Sequence, residues 1–366
     1  MQQQALLTLP ITMKIALGMR FVEGPWGGGM QFGKVLANYF GDRGIDVLFD
    51  LHDPDIDIIL LTDPRRSSRS SAFTDADIAY YLTNINSRSI VVQRINDSSH
   101  SRTAGFRSRR LAFANHCAHH TVFISQWLQD AYEIDGFSVI EPVVIKNGAD
   151  RSVFHDFGGR IWDRNEKLRV VTHHWSTNWK KGLDVYLEID TLLGQRPYSE
   201  LFEFTFVGRV PEGVQFRHTR VVDPLTGSHL ADQLRSHHLY VSASVGEAAG
   251  MHHIEGALCG LPVLYRQSGA LPEYCSGFGL AFDEGAIGVG LLQARDNHSE
   301  LKAKMPEYPY DAVLCCRSYL KLFRDLLAKR DEVLHRRRWT RLNGWIFRSC
   351  SNAFDLLIRG CDRTRS

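Results

Sequence analysis

The sequence lacks most of what marks a membrane, secreted or nucleic-acid-binding protein. Its 366 residues hold seven cysteines, at 117, 259, 275, 315, 316, 350 and 361, an odd and scattered set with no Cys-x-x-Cys pair. Such a set suits a reducing cytoplasm, where thiols act as small apolar fillers. No apolar run reaches the length needed to span a bilayer. Met1–Thr12 is partly apolar but has no charged n-region. It reads as an extension rather than a signal peptide, with Met13 as the natural first residue of the fold. Lys and Arg number 43 against 41 Asp and Glu, and a net charge of +2 excludes a general nucleic-acid binder. Internal repeats, low-complexity tracts, Walker A loops and Gly-x-Gly-x-x-Gly fingerprints are all missing.

What is present is an ordinary globular composition, 44% hydrophobic and 23% charged. A chain of this length exceeds the usual size of one hydrophobic core, so two domains are expected. Short β-rich runs alternate with helical patterns. The expected strands are 14–17, 46–49, 56–61, 90–93, 121–124 and 143–146, then 168–172, 204–207, 239–242, 262–265 and 280–282. Helix-like segments between them include 30–40, 125–133, 183–193 and 229–237. This alternation predicts α/β architecture with parallel sheets covered on both faces. The series breaks over Asp150–Lys167, where Gly158-Gly159 and the charged run from Asp163 read as a linker. The expected units are therefore 13–160, 161–330 and a tail, 331–366. From Arg330 onward nine Arg face four acids, which leaves the rest of the chain slightly acidic. The tail mixes these arginines with Trp345, Phe354 and Ile358, a composition shared by a membrane-surface helix and by a helix packed on the body.

Four segments carry candidate chemistry. In Ser244–Leu264, Glu247 and Glu255 are separated by seven residues. Gly250 falls where a loop turns into a helix, so free N–H groups of the first turn lie between the two carboxylates and favour an anion. Gly24–Gly29 follows the first strand and opens the first helix, allowing close approach of a ligand to the backbone. Val170–Gly182 runs from a strand through a loop to Lys181-Gly182. Arg94–His100 follows a strand, and Asp97 and His100 are polar groups at its C-terminal end, where α/β proteins place ligands. His116-Cys-Ala-His-His120 sits at a helix end without a second ligand set and reads as structural. Asn96-Asp-Ser98 and Asn297-His-Ser299 fit the glycosylation sequon, but the compartment argues against its use.

Glu247-Ala-Ala-Gly250…Glu255-Gly-Ala-Leu-Cys-Gly-Leu-Pro-Val263 resembles the E-x7-E region of retaining GT-B glycosyltransferases of the family 4 type. Ser268-Gly-Ala-Leu-Pro-Glu273 is similar to the Gly-Gly-Leu-Pro-Glu that follows it in that family. Asn147-Gly148-Ala-Asp150 before Phe154 is similar to its Asn-Gly-Val-Asp turn. The resemblance covers most of residues 13–330 and is strongest over 239–283. It implies two Rossmann-like doubly wound domains facing an interdomain cleft, followed by a C-terminal helical tail. It implies transfer of a sugar, with retention, from a nucleoside diphosphate sugar to a glycan, lipid-linked or other hydroxyl acceptor. The donor-binding residues would be Gly28, Gly29, Ser176, Lys181, Gly250, Met251, His252 and Glu255. Glu247 would hold donor-sugar hydroxyls, Glu255 the ribose, and Lys181 the diphosphate. Glu247, Asp97 and His100 are the catalytic candidates; Asp97 or His100, at the strand end facing the cleft, would contact the acceptor or the transferred sugar, with a base role open to either. No cofactor or metal is expected, since no Asp-x-Asp suggests a metal site of the kind used by the other main glycosyltransferase fold. Ser176 stands where the family carries a phosphate-binding arginine, which leaves Ser176, Asn178 or Lys180 to compensate. The expected location is the cytoplasm, with the tail resting on the membrane face. Two other readings stay open: an epimerase or phosphorylase on the same fold, and a non-catalytic nucleotide- or glycan-binding relic.

Overall fold

The computed structural model describes residues 13–21, 28–97, 105–339 and 343–363. The Met1–Thr12 extension, most of the first glycine loop and His100 lie outside them.

Two six-stranded parallel sheets form the two lobes. The first lobe runs β1 (Lys14–Leu17), α1 (Gly28–Gly41), β2 (Asp46–Leu48), β3 (Ile58–Leu61), α2 (Asp75–Asn84), β4 (Ile90–Ile95), α3 (Gly105–Ala114), β5 (His120–Phe123), α4 (Gln126–Ile134) and β6 (Pro142–Val144). The second runs β7 (Leu168–His174), α5 (Leu183–Leu193), α6 (Tyr198–Leu201), β8 (Phe202–Gly208), β9 (Arg220–Val222), α7 (Gly227–Arg235), β10 (Leu239–Ser242), α8 (Met251–Leu258), β11 (Val263–Arg266), α9 (Leu271–Cys275), β12 (Gly279–Phe282), α10 (Ile287–Asp296) and α11 (His298–Lys304). Helices α12 (Ala312–Ala328), α13 (Arg330–Leu334) and α14 (Gly344–Arg363) complete the chain.

The central strands β3 and β4 are buried at every position, as helix-covered parallel strands must be. Sheet order is β2-β1-β3-β4-β5-β6 in the first lobe and β12-β11-β10-β7-β8-β9 in the second. The direction of winding therefore reverses between β1 and β3, and between β7 and β10. Such reversals open a crevice at the carboxyl ends of the strands, the place where α/β sheets bind ligands. The sequence reading missed β9. It is a three-residue edge strand whose Arg220 and Val221 are exposed, so it shows no apolar pattern.

One core cluster crosses between the lobes, joining Phe123 and Leu128 of the first to Tyr240, Ile254 and Tyr274 of the second. Helix α12 returns to the first lobe, where Tyr319 and Phe323 pack among Phe32, Leu36 and Phe40 of α1. The 150–167 segment is packed as well: Phe154 joins the inter-lobe core and Trp162 the core of the second lobe.

Helix α14 packs against α2 and α3. Phe347 stacks on Phe113 with centroids 5.1 Å apart. Beneath it Arg110, fully buried, donates to Asp355 at 2.8 Å and to Asp75, and Ser351 also donates to Asp75. The opposite face of α14 leaves Trp345, Ile346 and Leu356 exposed. No helix among the described residues is long and apolar enough to cross a membrane.

Candidate active site

Both reversal points open onto the same cleft. After β7 the chain passes through His174, Trp175 and Ser176 into a single 3₁₀ turn, Trp179–Lys181. Asn178 caps that turn by accepting from the Lys180 amide at 3.0 Å. Gly182 then sits at φ +95°, and a Cβ there would lie 2.5 Å from that of Ala243. Only glycine fits this left-handed turn, which brings Lys181 back to the cleft. Lys181 Nζ donates to Glu247 Oε2 at 2.7 Å. Burial raises the Glu247 pKa, but the Lys181 charge and hydrogen bond outweigh it, and the carboxyl ends below its usual value.

Helix α8 begins at Met251 with Gly250 as its N-cap, and no side chain caps it. Its first N–H groups therefore need another partner. The helix is buried along nearly its whole length, Glu255 included. His173 Nε2 donates to Glu255 Oε2 at 2.8 Å. The Tyr240 hydroxyl accepts from the His173 amide and pairs with His173 Nδ1, each at 3.2 Å, which holds the ring in place against Glu255. His252 Nε2 pairs with Ser242 Oγ at 2.9 Å. Burial, with neighbouring positive charge second, holds His174 and His252 well below the usual imidazole range; burial also takes His253 to about 4, against the opposing pull of the Glu247 charge. All three are neutral at physiological pH.

The first lobe supplies the facing wall. Gly28 opens α1 and meets Met251 directly: a Cβ at Gly28 would lie 2.1 Å from Met251 Cγ. The amino ends of α1 and α8 thus approach each other. Between them is a cavity of about 250 Å³. Gly28, Gly29, Ser176, Lys181, Glu247, Gly250, Met251, His252 and Glu255, all expected at the site from the sequence, line it together. Asp97 lies outside it and borders a neighbouring polar cavity with Thr62, Asp63, Arg65 and Ser70. His100 is outside the described residues. Ser176 is exposed, and its hydroxyl accepts from the Asn178 amide at 3.2 Å.

The sequence reading did not single out Arg94, Asn96, Asn147 and His173, which also line the cavity. Asn147 is a tie between the lobes, donating to the Ala249 carbonyl at 3.1 Å and accepting from Arg94 at 2.9 Å. The available signals were position, since Arg94 lies near the end of an apolar strand, and the Asn147–Asp150 turn of the resemblance. The two lobes are joined further by Glu273, whose carboxylate accepts from the Gln126 and Trp127 amides at the start of α4. Of the His116–His120 cluster, His116 is exposed while His119 and His120 turn into the interior. Among the described residues no group of three or more His, Cys, Asp or Glu is placed to hold a metal ion.

No family model matches the chain, and no curated protein matches it. Solved structures match in fold. The UDP complex of Anabaena HepE superposes with a TM-score of 0.62, at 16% identity, covering 86% of this chain and 100% of that one. Sucrose-phosphate synthase from Thermosynechococcus elongatus gives 0.61 at 14% identity, over 87% and 100%. A glycosyltransferase from Rickettsia africae ESF-5 gives 0.60 at 13% identity, over 87% and 99%. Identities this low carry architecture alone. The architecture is GT-B: two parallel-sheet lobes facing across a cleft, with a C-terminal helix.

Proposed function

We propose that this chain is a retaining glycosyltransferase of the family 4 type, moving a sugar from a nucleoside diphosphate sugar to a hydroxyl acceptor. One observation carries the reading. Lys181, Glu247, the uncapped start of α8, Glu255 and the start of α1 converge on a single cavity at the winding reversals of both sheets. The complexes of HepE with UDP-glucose and with UDP and glucose support it by analogy of fold.

Breaking the bond from the anomeric carbon to the diphosphate leaves positive character on the sugar ring and negative charge on the departing phosphate. Lys181 and the free N–H groups of α8 and α1 stabilise that leaving group, in place of a metal or cofactor. Each preorganised donor of this kind is worth on the order of 10²-fold in rate. Glu247 is ionised and half-buried at the cleft, so it accepts hydrogen bonds from donor-sugar hydroxyls. Glu255, oriented by His173, accepts from the ribose. The acceptor hydroxyl attacks the face from which the diphosphate leaves, which retains configuration. The polar cavity bordered by Asp63, Ser70 and Asp97 receives the acceptor, a glycan or the sugar of a lipid-linked carrier. Trp345, Ile346 and Leu356 would rest on the cytoplasmic membrane face.

A thermal-shift series with UDP, GDP and ADP tests the donor site. One of them should raise the melting temperature, and Glu255→Ala should remove that rise. No stabilisation by any of the three would end the proposal. Release of free nucleoside diphosphate with the sugar found on an acceptor separates a transferase from an epimerase, a phosphorylase or a binding relic.

A further inference from the structure

The first lobe buries two arginines in opposite electrical circumstances. Arg110 is fully buried and held by two carboxylates, Asp75 and Asp355. Arg94 is almost as deep, at 3% exposure, yet pairs with no carboxylate among the described residues. Its partners are neutral: the Asn147 side-chain oxygen at 2.9 Å and the Phe32 ring, whose centroid lies 4.0 Å away. Its Nε has no hydrogen-bond partner. A buried guanidinium without a counter-charge is costly, and such a group normally meets an anion.

The position of Arg94 says which anion. It lines the cavity shared with Lys181, Ser176 and the start of α8 and also borders the polar cavity with Asp63 and Asp97, so it stands where the two cavities meet. Lys181 is already neutralised by Glu247 at 2.7 Å, and Glu255 is held by His173 at 2.8 Å. The exposed Ser176 brings no charge where a second cation would serve a diphosphate. We propose that Arg94, reaching in from the opposite lobe, is the second positive group on the donor's pyrophosphate and takes over the task that Ser176 leaves undone. Because Arg94 comes from β4 and Lys181 from the loop after β7, the pyrophosphate itself then bridges the lobes. Asn147, bonded both to Arg94 and to the Ala249 carbonyl before α8, holds the guanidinium toward the second lobe.

This inference rests on the nucleotide-sugar reading, and calorimetry on the full chain separates the two. The probes are UDP, GDP and ADP with the corresponding monophosphates. Arg94→Gln should weaken the best diphosphate about 10- to 100-fold, the scale of one charge-assisted hydrogen bond, and the monophosphate less than about 3-fold by the same principle. Arg94→Lys should retain most of the affinity. Ser176→Arg in the Arg94→Gln background should restore it. If wild-type protein binds no diphosphate, the donor-site reading fails and this inference with it. If wild-type protein binds but Arg94→Gln binds equally well, or loses mono- and diphosphate alike, Arg94 is not on the pyrophosphate. Unchanged diphosphate affinity with lost transfer would place Arg94 on the acceptor and likewise overturn the proposal. Should Arg94→Gln fail to fold, Arg94→Lys decides: a loss of diphosphate affinity as large as that expected for Gln would overturn the charge argument.

Discussion

Lys181 Nζ lies 2.7 Å from Glu247 Oε2, so the cation expected on phosphate and the carboxylate expected on sugar are bound to each other. Under the proposed function, a donor entering the cleft would divide this pair, with the ammonium turning to the phosphate and the carboxylate to the sugar hydroxyls. Glu247→Gln removes the competitor for Lys181. It should leave nucleoside diphosphate affinity equal or stronger while transfer falls about 100-fold or more, the scale of a lost transition-state contact. Lys181→Ala should do the reverse to binding, weakening it by about 10-fold or more. Calorimetry beside a transfer assay reads both, and weaker diphosphate binding in Glu247→Gln would contradict this account.

The buried histidines set a pH limit. Burial is the largest cause in each case, taking His119 to about 3 and His120, His237, His238 and His253 to about 4. The folded values lie below the unfolded one, so the unfolded chain binds more protons between about pH 6.5 and 4. Stability is therefore fully present above about pH 6.5 and lost as pH falls through that window, by about 1.4 kcal/mol per pH unit for each such histidine. Melting temperature should be nearly flat from pH 7 to 8 and fall steeply from pH 6.5 to 5. An equal melting temperature at pH 7.5 and 5.5 would refute this.

The Arg110 clamp predicts that the tail is part of the fold. Asp355→Ala removes one of two carboxylates from a fully buried guanidinium and should cost about 3–5 kcal/mol in denaturant titration. Limited proteolysis should then cut α14 first. A variant as stable as wild type would mean that Asp75 alone satisfies Arg110.

Glu273 predicts a weaker mechanical tie. Its carboxylate accepts the Gln126 amide at 2.9 Å and the Trp127 amide at 2.5 Å, capping α4 from the other lobe. Glu273→Ala should cost about 1–2 kcal/mol and speed hydrogen exchange at the first turn of α4. Unchanged exchange there would show that the cap is dispensable.

Much of the fold was legible because parallel strands covered on both faces must be continuously apolar, and such runs stand out; β3 and β4 are examples. Edge strand β9 was not, since a half-exposed strand of three residues carries no pattern. Among the residues that line the cavity, Gly250 could be read as a helix start because that chemistry is local, while Lys181 and Glu255 were pointed out by the resemblance. Arg94 could not, since its meaning lies in its having no carboxylate partner among the described residues, which only packing reveals. The tail shows the same division. Its composition fits a membrane surface or a protein surface equally, because it has apolar residues on two faces: one packs against α2 and α3, and the other leaves Trp345, Ile346 and Leu356 exposed.

By itself the sequence determined the alternation of strands and helices, the turn that presents Lys181 and the carboxylates on either side of an uncapped helix start. These depend on neighbours within about one turn of chain, where backbone sterics and hydrogen bonding act. Tertiary structure alone decided that Lys181 pairs with Glu247, that Arg94 has no carboxylate partner among the described residues, and that α14 is clamped by Arg110. Those outcomes join residues tens to hundreds of positions apart, and burial, which sets the strength of every charge interaction, exists only once the lobes have packed.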